Sequence, residues 1–335
     1  QFGRPIARHD AVAGKVSFIA ATAFALEAVV EVVARCAAAG GTDTRLDAEL
    51  AKLFASEQAW VVADELVQLR GGRGYETAES AVARGERGVP AEQLLRDVRV
   101  GRIFDGSSEA LRAFLAHDLI EAHRAAADDR DAGPRQETAH AGKEPAGGET
   151  VDAEEAVDAG ETTQAVRGVL DDHLEFVART SRRIAGELAA VVAESGPGGG
   201  GLDGRQRFLG RIVDVGAELY AMSASCVHAR TLGGADGSPA ELADAFCRQA
   251  RLRVAESLAR LGENTDAADR VVTGHVLDGR YTWLEEGVVD VSVDGPWVAE
   301  QRPGPATGPG LRRVIRPAGT PKTARPTDET TRRSR

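Results

Sequence analysis

The residues best suited to chemistry stand in one short run, Asp105-Gly106-Ser107-Ser108-Glu109, at the start of a segment with helical periodicity. A side-chain oxygen at that position can accept hydrogen bonds from the free amides of a helix's first turn. The helix dipole also favours a negative charge there. From the residue types alone, Asp105, Ser107 or Ser108 is therefore an N-cap, and Gly106 is a turn residue.

A second candidate is the run Gln68-Leu69-Arg70-Gly71-Gly72-Arg73-Gly74-Tyr75, which closes another apolar, helix-periodic segment. Glycines commonly end helices because they adopt left-handed backbone conformations. They also let a backbone approach a ligand closely, since they carry no Cβ. A G-G-x-G pattern by itself predicts only the end of the helix, so both interpretations stay open here.

Cysteine and histidine offer weaker candidates. Cys226 and His228 lie two residues apart and Cys247 lies elsewhere, so neither the number nor the spacing of ligands fits a zinc site. We therefore predict no metal site and place these residues in a helical core. Asp171-Asp172-His173 is predicted to be a solvated helix face. An odd count of three cysteines argues against a disulfide framework and fits a reducing, cytoplasmic setting.

The composition excludes some classes of protein. The 335 residues carry 41 Lys or Arg and 52 Asp or Glu, which gives a formal net charge of −11. A general nucleic-acid binder needs a basic face, so we expect no nucleic-acid partner. No uninterrupted apolar run reaches the roughly 18 residues of a membrane span. The chain begins with Gln and its single Met is Met222, which suggests a processed chain or a fragment.

The elements that must position these residues are helices. Apolar residues recur every three or four positions, and no strand pattern exceeds a few residues, so the predicted fold class is all-α. Helices are predicted at 10–39, 44–69, 91–101, 107–123, 166–194, 203–230, 239–262 and 265–279, with a loop at 76–90. The predicted organisation is a helical bundle at 1–124, an acidic disordered linker at 125–165, a second helical domain at 166–300 and a basic disordered tail at 301–335.

Motifs in a fixed order give this bundle a family resemblance. They are the Gln68–Tyr75 run, Leu95-Arg96-Asp97-Val98-Arg99, and Ile103-Phe104-Asp105-Gly106-Ser107-Ser108-Glu109 with Arg112. Together with the opening Gln1-Phe2-Gly3-Arg4-Pro5-Ile6, they resemble the C-terminal bundle of acyl-CoA dehydrogenases. The resemblance covers about 1–124 firmly. It extends to 166–299 through less specific motifs, as in large, very-long-chain-type bacterial members.

The resemblance implies a function and its residues. The family removes one α-hydrogen of a fatty acyl-CoA as a proton and one β-hydrogen as a hydride to FAD, a step of fatty acid β-oxidation. Asp105 occupies the position of the base, where the family more often has Glu, and it is either a working but shortened base or a degraded one. Gly106 would let the thioester approach. The implied FAD contacts are Phe2, Gln68, Gly71 and Gly72, towards a neighbouring subunit, and Ser107, Ser108 and Glu109.

The resemblance also implies partners and leaves an alternative. We expect a homo-oligomeric, cytoplasmic protein that passes electrons to electron-transfer flavoprotein or a similar acceptor, with possible peripheral membrane contact. The family's N-terminal helical domain and middle β-domain are absent from this sequence, so the isolated chain is expected to be inactive. The alternative is a catalytically inactive helical module for oligomerisation or for membrane or partner interaction.

Overall fold

The computed structural model describes residues 3–39, 44–131, 156–195, 203–233 and 237–284. Within these ranges the chain forms ten α-helices and no strand, which confirms the all-α class. The helices are α1 (Asp10–Ala38), α2 (Arg45–Arg70), α3 (Gly72–Tyr75), α4 (Ala78–Ala83), α5 (Ala91–Val100), α6 (Ser108–Asp131), α7 (Ala156–Ser195), α8 (Gln206–Leu232), α9 (Ser238–Gly262) and α10 (Asp266–Leu277). Short 3-10 turns lie at Ile6–Arg8, Asp203–Arg205 and Thr282–Leu284.

The chain forms two compact units, Gln1–Asp266 and Ala267–Arg335. Helix α8 lies at the centre of the first unit. Its buried residues, among them Val213, Val215 and Met222, occupy positions around most of its circumference. A helix that is apolar on nearly all sides must be surrounded by others. Helices α1, α2, α6, α7 and α9 accordingly all pack on α8.

Two hydrophobic clusters fill this unit, and α8 contributes to both. One is formed by α1, α2, α7, α8 and α9 and includes the fully buried Phe246 and Met222. The other is formed by α2, α6, α7 and α8 around Leu53 and Leu115. Residues from the predicted 1–124 bundle and from the predicted 166–300 domain therefore share the same cores.

The helices also extend into the predicted linker. Helix α6 continues to Asp131 and α7 begins at Ala156, so both ends of the 125–165 segment are helical. Residues 132–155 and the predicted tail at 301–335 lie outside the described residues. The four-part division of the chain stays a prediction.

The predicted loop at 76–90 is wrong over one short stretch, because it contains helix α4. The hydroxyl oxygen of Thr77 accepts a hydrogen bond from the Ser80 amide at 3.3 Å, which is an N-cap. The helix has only six residues. A segment this short carries too little periodicity to be found in the sequence.

Helix α1 is long and apolar enough, by length and composition, to cross a membrane. It has no uninterrupted apolar run of that length, since Lys15, Glu27 and Glu31 interrupt it. Core helices of soluble proteins pass the same test, and α1 packs against α2, α8 and α9. Packing in the bundle buries 33% of the most apolar window of α1.

Candidate active site at the mouth of helix α6

The loop between α5 and α6 turns through two left-handed residues. Asp105 has φ 51° and Gly106 has φ 92°. Among the described residues, Asp105 is the single non-glycine residue with a positive φ. Left-handed backbone is unfavourable for most side chains, although Asp tolerates it better than most. The turn leaves the Asp105 side chain exposed at the mouth of α6.

The N-cap of α6 is Ser107 rather than Asp105. The Ser107 hydroxyl oxygen accepts a hydrogen bond from the Ala110 amide at 3.2 Å. The neighbouring hydroxyl of Ser108 is buried and has no hydrogen-bond partner. The structural role that the residue types allow for Asp105 is thus performed by Ser107.

Lys52 of α2 anchors the loop between α5 and α6 by two hydrogen bonds. Its Nζ donates to the carbonyl oxygen of Phe104 at 3.1 Å and also to the carbonyl oxygen of Gly106. These carbonyls flank Asp105 on both sides. No sequence motif points to Lys52, because it lies 52 residues before Phe104 and carries no local signal.

Two arginines of the motif region are paired around the same loop. Arg102 Nε donates to Glu57 Oε1 at 3.0 Å, and its guanidinium lies 5.0 Å from the centre of the Trp60 ring. Arg112 Nε donates to Asp214 Oδ1 of α8 at 2.8 Å, and Arg112 also lies 3.8 Å from Glu57. The loop is therefore anchored at both ends by ion pairs to α2 and α8.

Two carboxylates near the loop have shifted pKa values. Desolvation raises the pKa of Asp214, and the facing Arg112 opposes this only in part. The Glu109 carboxylate accepts a hydrogen bond from its own backbone amide, which lowers the pKa of Glu109, and the Ser107 hydroxyl adds to the effect. Glu109 is therefore ionised at neutral pH and poorly suited to take up a proton.

The glycine turn ends α2 as the sequence predicts. Gly71 has φ 58° and ψ −139°, and its amide donates to the Gln68 carbonyl oxygen at 3.2 Å. A Cβ added to Gly71 or Gly72 would meet no atom within 4 Å. At Gly74 it would lie 2.4 Å from the Val67 carbonyl oxygen. Gly71 and Gly72 thus present open backbone, whereas Gly74 is required for packing.

The predicted site residues fall into two separate groups. Asp105, Gly106, Ser107, Ser108 and Glu109 lie together at the mouth of α6, above Lys52. Gln68, Gly71 and Gly72 lie at the far end of α2. Lys52 and Gln68 are sixteen residues apart on one helix, which at 1.5 Å per residue is about 24 Å. Phe2 lies outside the described residues.

Other predicted positions are partly corrected. Asp171 and Asp172 are exposed as expected, but His173 is buried, and its Nε2 lies 2.8 Å from Asp244 Oδ1. The prediction of a solvated face is wrong at His173, because this residue lies on the inner face of α7 although its sequence neighbours are charged. The described residues contain no group of three His, Cys, Asp or Glu side chains that could hold a metal ion.

Comparison with known proteins gives one match to the N-terminal third of the chain and another over most of its length. Residues 1–120 match the family model described as "Acyl-CoA dehydrogenase, C-terminal domain". A "Probable acyl-CoA dehydrogenase FadE10" of Mycobacterium tuberculosis is 48% identical over 324 residues, covering 93% of this chain and 49% of that protein. The bovine "Very long-chain specific acyl-CoA dehydrogenase, mitochondrial" is 35% identical over 116 residues, which covers 35% of this chain and 16% of that protein.

A solved structure shows the same fold. It is an acyl-CoA dehydrogenase of Bacillus anthracis complexed with FAD, with a TM-score of 0.50 and 20% sequence identity. The match covers 82% of this chain and 46% of that one. The chain therefore spans about half the length of the curated relatives and of the solved structure that it matches.

The fold is that of the helical part of an acyl-CoA dehydrogenase, and the loop at the mouth of α6 lies within the matched C-terminal domain. More particularly, residues 1–120 match the C-terminal domain of acyl-CoA dehydrogenases, and most of the chain is similar to a probable acyl-CoA dehydrogenase. The predicted resemblance is confirmed. The alternative, a catalytically inactive helical module for oligomerisation or for membrane or partner interaction, is not favoured by these relatives.

Proposed function

We propose that this chain is the C-terminal part of a cytoplasmic FAD-dependent acyl-CoA dehydrogenase that oxidises fatty acyl-CoA between its α and β carbons. The observation that carries the proposal is the exposed carboxylate of Asp105, presented on a strained and anchored loop within the matched domain. Among the described residues, this carboxylate neither caps α6 nor forms an ion pair, so it is free to face a substrate.

Asp105 would accept the α-proton of the bound thioester. A carboxylate becomes a stronger base when ligand and protein remove water from it, because desolvation raises its pKa. Gly106 leaves the backbone beside it open, and the closest atom to an added Cβ there would be Leu111 Cδ2 at 3.4 Å. Through its hydrogen bonds to Phe104 and Gly106, Lys52 would hold the loop that carries the carboxylate in a fixed position relative to α2.

The residues present fit the binding of FAD at both groups. Ser108 offers a buried hydroxyl without a partner, and Gly71 and Gly72 offer open backbone. Ser107, Ser108 and Glu109 would line the flavin near Asp105, and Gln68, Gly71, Gly72 and Phe2 would contact the nucleotide part. Bound FAD supplies the acceptor for the β-hydrogen as a hydride.

The separation of the two groups supports a homo-oligomer. Lys52, which binds the Asp105 loop, and Gln68, beside the glycine turn, lie about 24 Å apart along α2, and we propose that the glycine turn serves the cofactor of a neighbouring copy. Electron-transfer flavoprotein as acceptor and contact with a membrane have no support in the comparisons, and both stay predictions.

The proposal is tested in the full-length enzyme by anaerobic reduction of bound flavin with acyl-CoA. Asp105→Asn should retain flavin but lose its reduction, whereas Asp97→Asn, at an exposed carboxylate of α5 outside the proposed site, should keep reduction. Asp105→Glu, the residue more frequent in the family, should also support reduction. Reduction at an unchanged rate in Asp105→Asn would remove Asp105 as the base. The isolated chain should retain no FAD after desalting.

A further inference from the structure

Two thiols meet in the core of the bundle, away from the proposed active site. Cys226 of α8 and Cys247 of α9 have their sulfur atoms 3.9 Å apart, and neither side chain is exposed. The third cysteine, Cys36 on α1, is exposed. Cys226 and Cys247 therefore form a buried dithiol, and the exposed thiol of Cys36 serves as a reference for its reactivity.

The two sulfurs have different surroundings. The hydrogen bond from Cys247 lowers the pKa of Cys226, and the positive charges of Arg230 and Arg251 add to this effect. The same pairing and burial raise the pKa of Cys247. Burial opposes the shift at Cys226, but of the two sulfurs Cys226 is the more acidic and the better candidate for the nucleophile.

We propose that Cys226 and Cys247 form a peroxide-oxidisable dithiol that closes into a disulfide between α8 and α9. The Cys226 thiolate attacks hydrogen peroxide, forms an S–O bond and releases hydroxide, which leaves a sulfenic acid. The Cys247 sulfur then attacks that sulfur. The S–S bond forms, the S–O bond breaks, and the oxygen leaves as water with the Cys247 proton. The two sulfurs lose two electrons and the peroxide gains them.

The sulfur–sulfur distance of 3.9 Å sets how far the two side chains must move. A disulfide requires its sulfurs about 2.05 Å apart, so each sulfur must move by roughly 1 Å. Rotation about χ1 can supply such a movement in packed neighbouring helices. Because both sulfurs are fully buried, peroxide must enter through local opening of α8 or α9. Oxidation should accordingly be slower than that of Cys36.

The test uses this chain with Cys36→Ser, which removes intermolecular disulfides. After hydrogen peroxide treatment under native conditions, the intact mass should fall by two hydrogen atoms. Trypsin cleaves after Arg230, between the two cysteines, so the product should contain the two flanking peptides joined by a reducible bond. The oxidised chain should also have a higher Tm, because the closed loop restricts the unfolded state.

Matched controls separate the steps. In the Cys36→Ser background, Cys247→Ser should stop at a sulfenic acid on Cys226, which dimedone traps. Cys226→Ser should give neither disulfide nor rapid dimedone labelling. Recovery of both thiols in alkylatable form after prolonged peroxide treatment of the Cys36→Ser chain under native conditions would overturn the proposal. The same holds for a linked peptide that forms only in urea. No outcome depends on acyl-CoA dehydrogenase activity.

Discussion

Lys52 Nζ donates to the carbonyl oxygen of Gly106 and, at 3.1 Å, to that of Phe104. The two acceptors bracket Asp105, whose φ of 51° puts it in a conformation that favours glycine. A left-handed non-glycine residue costs about 1–2 kcal/mol, so the turn must be stabilised by contacts outside itself. Lys52 supplies such a contact from a different helix.

Lys52→Met should therefore loosen the loop at 101–107. Loss of hydrogen bonds from a charged donor should lower the free energy of unfolding by about 1–3 kcal/mol. Amide hydrogen exchange in this loop should accelerate, because its two anchored carbonyls are released. Lys15→Met is the control, since it removes the ion pair of Lys15 with Glu65 between α1 and α2. Equal exchange in the loop of both variants would contradict the anchoring role.

The two adjacent serines should respond in opposite ways. Ser107→Ala removes the cap of α6 and should lower the free energy of unfolding by about 1 kcal/mol. Ser108→Ala removes a buried hydroxyl without a partner, so it should leave stability unchanged or raise it. Urea denaturation of both variants makes the comparison. A larger loss in Ser108→Ala than in Ser107→Ala would show that the cap is misassigned.

The glycine turn offers a second matched pair. At Gly74 an added methyl group would lie 2.4 Å from the Val67 carbonyl oxygen. Gly74→Ala should therefore destabilise the chain by about 1–3 kcal/mol through overpacking. Gly72 lies in α3 with open space around it, so Gly72→Ala should be neutral or stabilising by up to about 1 kcal/mol. Thermal or urea unfolding distinguishes them, and equal effects would refute the assigned packing.

Contacts between residues close together in the sequence could be predicted, whereas contacts between residues far apart could not. The end of α2 at Gly71 and the cap of α6 depend on a few adjacent residues, so local motifs predicted the first and narrowed the second to Asp105, Ser107 or Ser108. Lys52 acts on Phe104 across 52 residues, and Asp214 pairs with Arg112 across 102. These pairs exist only because α2, α6 and α8 pack together, and no local pattern reports that packing.

The burial of Asp214, which pairs with Arg112, makes the free energy of unfolding depend on pH in a definite direction. Desolvation holds the pKa of Asp214 above its ordinary 3.8 in the folded chain. The folded state therefore binds the proton more tightly than the unfolded state in the interval above 3.8. As the pH falls through that interval, the wild-type chain should gain stability relative to Asp214→Asn. Urea unfolding of both proteins from neutral pH downwards measures the difference. A difference that is independent of pH would contradict the shift.

The separation between Asp105 and Gly72 predicts how mutant subunits complement each other in the full-length enzyme. Asp105→Asn should lack the base, and Gly72→Val should weaken FAD retention by closing the open backbone of the turn. In a two-fold assembly, each site would take Asp105 from one subunit and the glycine turn from the other. A mixed assembly would then contain one site with both groups intact, although each parent is inactive.

Co-expression of the two variants with different tags, followed by tandem purification, isolates that mixed assembly. Its bound flavin should be reduced by acyl-CoA in about half of the sites that a wild-type assembly contains. Mixed assemblies of Asp105→Asn with itself, carrying both tags, are the control and should show no reduction. Absence of recovery in a mixed assembly of confirmed composition would place both groups at the cofactor of one subunit. The base and the glycine turn would then have to reach a single extended FAD from opposite ends of α2.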